Sequence, residues 1–359
     1  MRILQVGKFY FPYHGGIETV VQNLSEELQA LGHEVTALVS SHHLFPQFQY
    51  INGVRVIRMG RWGSIFSQPL NFLAPVYYLI LFWRADVIHL HSPNPLLEFF
   101  SLFFPGKKVV TFHAEVVRQK KLLRGYRRLQ SYFFSSVSVI VTATKTLAKS
   151  PSLLGRTIEV IPFGIREKIA SPEGVAEVRR RYGRYVLFVG RLVSYKGVAY
   201  LLEAMKDQSA NLILIGQGPE LANWQALSKQ LPGKVFFLEN VSEEELSQFY
   251  AACEVLVLPS ISQAEAFGMV LIEAMSFGKP VISTLLGTGV DEVNDDGVTG
   301  LVVPPKDTLA LARALQRILA DEQLRDQLGK NARKKFTKEF SIQSMAEGYL
   351  KIYHRIQNA

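Results

Sequence analysis

The chain has 359 residues, 48% of them hydrophobic, which is long enough for two domains and too apolar for a disordered segment. A single cysteine, Cys253, excludes an internal disulfide and fits a reducing compartment. The formal net charge of +9 lies in the first part of the chain: residues 1–170 carry 19 Lys and Arg against 9 Asp and Glu, and the remainder 21 against 22.

In chain order, strands and helices alternate twice. A strand over 3–6 leads into a loop holding Gly15 and Gly16 and reads as a strand and loop, not as a signal peptide. Ile17, Val20, Val21, Leu24, Leu28 and Leu31 then recur at helical spacing, and Gly32 ends that helix. Strands follow at 35–39, 54–57, 87–90, 109–112, 139–142 and 158–161. The longest apolar run, 69–83, has 15 residues and contains Pro75, short of the ~20 residues of a spanning helix. Between Arg118 and Arg128, the cations Arg118, Lys120, Lys121, Arg124, Arg127 and Arg128 alternate with Leu122, Leu123, Tyr126 and Leu129. That pattern fits an interfacial helix on anionic lipid better than a merely solvated face, and no nucleic-acid-binding motif accompanies it. Regular patterning lapses over 166–183, where Pro172 and Gly174 mark an expected linker. The second half restarts with a strand over 185–190, a helix from 197 to about 205, and strands at 212–215 and 235–238. A helix with an acidic first turn follows Ser242, and strands come at 255–258, 281–283 and 300–303, with Cys253 expected in a buried strand. The segment 336–356 carries Phe340, Tyr349, Ile352 and Tyr353 and is expected to close against the first domain. This alternation predicts an α/β protein with two parallel sheets. Ligands of such sheets bind outside the carboxyl ends of the strands, here in a cleft between the two.

Several side chains fall at those ends. Glu265 and Glu273, with seven residues between them, put one carboxylate on a loop and one on the following helix. Gly268 opens that helix, whose free amides favour an anion. Two carboxylates for hydroxyls beside a positive helix end suit a sugar joined to a nucleotide diphosphate. Arg191 follows a strand directly and Lys196 precedes a helix, so the two can oppose charge building on a leaving diphosphate. Gly15 and Gly16 let a ligand approach backbone amides, although turns use glycine routinely. Gly216-Gln217-Gly218 lacks the third glycine of a dinucleotide fingerprint, which argues against a nicotinamide enzyme. It reads as a turn beside the nucleotide base. His113 ends a strand, where it can hydrogen-bond a sugar hydroxyl. His89 and His91 share one face of their strand, and a structural role is the ordinary reading of such a histidine. His14 has no assignable role. The chain has no pair of aspartates at i and i+2, no HExxH and no thiolate cluster, so a metal-free site is expected.

Together, Gly15-Gly16, His113 after Thr-Phe, the segment 188–197, the Glu265–Glu273 pair and the segment 297–305 resemble the retaining glycosyltransferases of family 4, with the GT-B fold. The pieces span nearly the whole chain in the expected order. The resemblance implies two facing Rossmann-like domains, an acceptor-side one over 1–168 and a nucleotide-sugar-binding one over 169–335. A terminal helix over 336–359 would cross back to the first. It implies that Arg191 and Lys196 bind the diphosphate, that Glu265 contacts the transferred sugar and that Glu273 contacts the ribose. Amides near Gly268, Met269 and Val270 would face the donor, with Gly16 near the phosphate and His113 near the sugar. Two segments depart from the common pattern. Phe163 stands where many members have asparagine before Gly164. Gly287-Thr288-Gly289 is similar to members that use GDP-mannose in bacterial surface polysaccharide assembly.

The expectation is therefore a metal-independent, cofactor-free retaining enzyme that moves a hexose from a nucleotide sugar to a lipid-linked saccharide or glycolipid. It would act peripherally, on the cytoplasmic face of a cell membrane. A nucleotide-sugar epimerase of the same architecture and a non-catalytic sugar-nucleotide or lipid-binding module are the alternatives.

Overall fold

A computed structural model describes every residue except 14, 61–62, 66–67, 70–73, 104–105, 115–119, 232–233 and 359, with backbone alone for 64–65, 68–69, 74 and 120–124. The chain divides into two compact units, Met1–Arg166 with Ser341–Ala359, and Glu167–Phe340.

Unit 1 is built on an eight-stranded sheet. Its strands are β1 (Arg2–Val6), β2 (Glu34–Ser40), β3 (Gln47–Ile51), β4 (Val54–Met59), β7 (Val87–Ser92), β8 (Lys108–Phe112), β9 (Val139–Thr142) and β10 (Ile158–Val160). The two-residue strands β5 (Ser64–Ile65) and β6 (Gln68–Pro69) pair with each other. The order is β10-β9-β8-β7-β1-β2-β4-β3, parallel except for β3, which runs antiparallel to β4. Alternation along the strands feeds two cores. Ile3, Val35, Val56, Val109 and Val141 lie in one. Leu4, Leu38, Ile57, Val110 and Ile140 lie in the other. The first core is covered by helix Gly16–Ala30, through Val20, Val21, Leu24 and Leu28. Helix Ile342–Asn358 joins it through Ile342, Met345, Ala346, Tyr349, Ile352, Tyr353 and Ile356. Those spacings of three and four put the buried residues on one stripe of each helix, so the end of the chain completes the core of its beginning. Where the chain enters and leaves unit 1, Ile165 pairs with Ser341, and the Ile342 amide donates to the Ile165 carbonyl at 3.0 Å.

Unit 2 carries a six-stranded, all-parallel sheet of β11 (Tyr185–Val189), β12 (Asn211–Ile215), β13 (Val235–Leu238), β14 (Val255–Leu258), β15 (Val281–Thr284) and β16 (Gly300–Val303). The order is β13-β12-β11-β14-β15-β16. The chain starts in the middle, winds outward one way, then returns to wind the other way, so β11 and β14 flank a topological switch point. In unit 1, β1 and β7 hold the equivalent positions.

Two expectations are corrected. The stretch 166–183 is not a linker throughout, because helix Pro172–Tyr182 occupies most of it. Pro172 takes the first helical turn, where its missing N–H costs nothing. Ser171 accepts from the Gly174 amide, and Gly183 at φ 63° ends the helix. Pro172 and Gly174, which read as linker punctuation, both lie in this helix's first turn. Cys253 caps the end of helix Glu243–Ala252 instead of lying in a strand. It is fully buried, and burial pushes its thiol up to about 12. The exposed edge strand β3 has no buried face and so left no periodic signal.

Candidate functional site

In unit 2 the side chains gather at the carboxyl ends of β11 and β14. The loop after β11 carries Arg191, then a single turn, Ser194–Lys196, and helix Val198–Ala204. Gly197 joins these two at φ 69°, and a Cβ there would lie 2.0 Å from the Pro259 carbonyl. Only glycine lets this loop sit directly on the backbone after β14. The Ile261 amide donates to the Tyr195 carbonyl at 2.8 Å and closes the contact. The result aims Lys196 at Glu265: Nζ lies 2.5 Å from Oε2, with both side chains about nine-tenths buried. Ser260 Oγ donates to the same Oε2 at 3.0 Å, and Thr288 Oγ1 donates to the Glu265 carbonyl at 2.8 Å. Among the described residues Oε1 of Glu265 accepts no hydrogen bond, and Lys196 keeps two N–H groups beyond the one aimed at Glu265. A carboxylate oxygen and a cation thus stand ready side by side, one for a hydroxyl and one for an anion.

Gly190 and Gly216 explain how the Arg191 loop is held. A Cβ on Gly216, at φ 145°, would lie 2.0 Å from the Gly190 carbonyl, so the two backbones touch. The Leu192 amide donates to the Gln217 carbonyl at 2.8 Å. Gly216 therefore braces the loop that presents Arg191, a packing role that composition did not reveal. Arg191 itself is exposed and makes no ion pair among the described residues.

Helix Met269–Ser276 begins at Gly268, which is left-handed at φ 76° and buried. The amides of Met269 and Val270 lie in the first turn, where no helical acceptor exists. Glu273 lies on the same helix but is held apart from the Lys196–Glu265 pair. Its Oε2 accepts from Tyr250 Oη at 2.5 Å, and no hydrogen bond or ion pair among the described residues joins it to Glu265. Burial raises the Glu273 carboxyl above its usual range, against the pull of that hydrogen bond. Tyr250 carried no signal in the sequence, since it comes from a different helix, Glu243–Ala252.

In unit 1, His113 stands just past β8, next to His91 on β7. His91 Nδ1 lies 2.9 Å from His113 Nε2, and His91 Nε2 lies 3.0 Å from Gln5 Oε1. His89 is stacked on His91 at 4.4 Å, and Phe163 on His113 at 5.3 Å. Burial lowers all three imidazoles, His89 and His113 to about 3. Phe163, where an asparagine had seemed the commoner residue, gives the ring a flat apolar wall. Gly15 precedes helix Gly16–Ala30 in an extended conformation, and among the described residues nothing lies within 4 Å of a Cβ built on Gly16. The loop thus has open space at Gly16. His14 lies outside the described residues.

The description Glycosyltransferase Family 4 matches residues 14–168, and Glycosyl transferases group 1 matches 177–335. The chain is 31% identical to O-antigen chain mannosyltransferase C of Escherichia coli, over 98% of each protein. It belongs to the family 4 glycosyltransferases. Other relatives are D-rhamnosyltransferase WbpZ of Pseudomonas aeruginosa, 31% identical over 95% of this chain and 92% of that one, and the phosphatidyl-myo-inositol mannosyltransferase of Mycolicibacterium smegmatis, 30% identical over 90% and 86%. Among solved structures, sucrose-phosphate synthase from Thermosynechococcus elongatus matches with a TM-score of 0.78 at 24% identity, over 99% of this chain and 98% of that one. Anabaena Alr3699/HepE in complex with UDP-glucose matches at 0.75 and 18% identity, over all of both chains. The glycosyltransferase thus has the GT-B fold, with its terminal helix returned to the first unit.

The basic segment forms helix Lys120–Ser135. Arg127 and Arg128 are exposed on it, while Arg118 and the side chains of Lys120, Lys121 and Arg124 lie outside the described residues. Tyr126 ties the helix to helix Pro95–Ser101, its hydroxyl lying 2.9 Å from Oε2 of the buried Glu98. Helix Pro95–Ser101 packs against this helix and against helix Ala74–Phe82, and Val76, Leu79, Ile80, Trp83, Phe99 and Phe103 are exposed across the group. No helix among the described residues is long and apolar enough to cross a membrane.

Proposed function

We propose that this glycosyltransferase is a metal-independent, retaining hexosyltransferase, with mannose from GDP-mannose as the favoured donor and a lipid-linked saccharide or glycolipid as acceptor. The observation that carries the reading is the Lys196–Glu265 pair at the switch point of unit 2. There Lys196, with Arg191, opposes the charge that builds on the departing diphosphate, and Glu265 Oε1 takes a sugar hydroxyl. Gly268, Met269 and Val270 offer amides to the phosphates, Gly216 keeps the Arg191 loop in place, and Glu273 faces the ribose. In unit 1, Gly16 leaves room for the phosphate, Glu18 Oε2 takes the space beside Gly15, and His113 meets the sugar. The bond from the anomeric carbon to the diphosphate oxygen breaks, and a bond to the acceptor oxygen forms on the same face. The acceptor's proton passes to the departing phosphate oxygen, so the transfer needs no protein nucleophile and no cofactor. The relatives' names support the substrate class: an O-antigen chain mannosyltransferase, a D-rhamnosyltransferase and a phosphatidyl-myo-inositol mannosyltransferase. The exposed Arg127 and Arg128, together with exposed Trp83, Ile80 and Phe103 elsewhere in unit 1, support peripheral binding to an anionic membrane face, to which Arg118, Lys120, Lys121 and Arg124 would add charge.

The test uses a panel of nucleotide sugars with a lipid-linked acceptor extract, in the presence of EDTA. The expected result is transfer from GDP-mannose, product with the donor's anomeric configuration, and stabilisation of the fold by the true donor. Inverted product, or activity abolished by EDTA and restored by a divalent metal, refutes the mechanism. A new sugar formed from donor alone means an epimerase, and binding without turnover means a carrier module.

A further inference from the structure

His113 is the end of a buried hydrogen-bonded chain that starts on the C-terminal helix. Tyr353 on helix Ile342–Asn358, Gln5 on β1 and His89 on β7 are wholly buried, and His91 and His113 nearly so. Gln5 is the branch point. Its amide Nε2 donates to Tyr353 Oη at 3.4 Å, and its carbonyl Oε1 lies 3.0 Å from His91 Nε2. Tyr353 Oη lies 2.7 Å from His89 Nδ1, His89 Nε2 lies 2.7 Å from Thr111 Oγ1, and that hydroxyl lies 2.6 Å from Tyr349 Oη.

A neutral imidazole has one N–H and one bare nitrogen, so each link sets the next. The Gln5 carbonyl only accepts, so His91 must hold its proton on Nε2. His91 Nδ1 is then bare and accepts from His113 Nε2, 2.9 Å away. On the other branch Tyr353 accepts from the Gln5 amide and donates its own proton to His89 Nδ1. His89 then donates from Nε2 to Thr111 Oγ1, which is paired with the Tyr349 hydroxyl. In this arrangement no two donors face each other.

We propose that Gln5 and Tyr353 are positioning residues that act through His91 to hold His113 as the Nε2–H tautomer, with bare Nδ1 presented as a hydrogen-bond acceptor. His113 would then accept from a substrate hydroxyl and would not donate to one. It would be a poor proton-taking base, because burial keeps the ring neutral down to about 3. The C-terminal helix thereby acquires a second task beyond completing the core of unit 1: it supplies the hydroxyl that orients the Gln5 amide. The proposal rests on the reading that His113 meets the substrate, and its test is built so that the two fail separately.

The full chain is labelled with 15N-histidine, and the ring nitrogens are followed by long-range 1H–15N correlation at neutral pH. His89→Gln, His91→Gln and His113→Gln variants assign the signals. In the wild type His113 is expected as a single neutral form with the proton on Nε2. Gln5→Met removes the accepting carbonyl and is expected to average the two His113 nitrogens toward a tautomer mixture. Gln5→Glu keeps an acceptor and restores the single form. A proton on Nδ1 of wild-type His113 overturns the proposal, as does a His113 pattern unchanged in a folded Gln5→Met. Should Gln5→Met not fold, Tyr353→Phe takes its place, since it frees the Gln5 amide to turn over. An unchanged His113 pattern there overturns the proposal equally. Transfer by His113→Ala is measured separately. Undiminished turnover with the expected spectrum removes the substrate contact and leaves the tautomer chain standing. Lost turnover with the wrong spectrum does the reverse.

Discussion

Three imidazoles kept neutral inside unit 1 make its stability depend on pH well above the carboxylate range. His89 titrates near 6.5 when exposed and at about 3 in the folded chain, with burial as the first cause. Between those values the unfolded chain binds a proton that the folded chain refuses. Stability from this group is therefore fully present above 6.5 and falls as pH drops toward 3. The loss is about 1.4 kcal/mol per pH unit below 6.5, or ~2 kcal/mol at pH 5. His113 adds a similar share and His91 acts in the same direction. Buried Glu98 opposes them, because its carboxyl is raised by burial and takes up a proton in the folded state first. A difference of differences removes that opposition. The perturbation is His89→Gln, which deletes the titrating group and keeps a polar side chain between Tyr353 and Thr111. Urea unfolding is followed at pH 7 and pH 5 by circular dichroism and by tryptophan fluorescence, Trp62 and Trp83 belonging to unit 1 and Trp224 to unit 2. Whatever His89→Gln costs at pH 7, its further loss on going to pH 5 is expected to be ~2 kcal/mol smaller than the wild type's. An equal loss in the two proteins would show that His89 is not held neutral, and the buried chain as described would be wrong.

Lys196→Ala and Glu265→Ala are each expected to cut turnover by about 10²–10³ while the protein stays folded. Near-normal steady-state rates in both would remove the pair from the site. Each single change leaves a nearly buried charge unpaired, so Lys196→Met with Glu265→Gln together is expected to unfold at a higher temperature than either single variant. Gly216→Ala forces a Cβ against the Gly190 carbonyl at a left-handed φ, and a loss of about 2 kcal/mol or more is expected in chemical denaturation. A neutral effect there would mean that the Arg191 loop is not braced in this way. Replacing Lys120, Lys121, Arg124 and Arg127 with glutamine is expected to release the protein from anionic vesicles in a flotation assay. Unchanged binding would leave that helix a merely solvated face.

The sheets, the first helix and the positions of Arg191, Lys196, Glu265 and His113 at strand ends were legible in the sequence because they depend on local signals. A strand buried on both faces reads as an unbroken apolar run, and a glycine at a positive φ has few substitutes. The same locality misled at 166–183, where Pro172 and Gly174 suit the first turn of a helix and a linker alike. What the sequence by itself determined was which residues lie at the carboxyl ends of strands. Only the tertiary structure decided which of them meet. Lys196 faces Glu265, whereas Glu273, with its apparent pairing in the chain, turns to Tyr250. Gln5 and His91 come from two strands, His113 from just past a third, and Tyr353 from the far end of the chain. Hydrogen bonds between groups so distant leave no periodicity, because parallel pairing and helix packing bring them together only after the chain has folded.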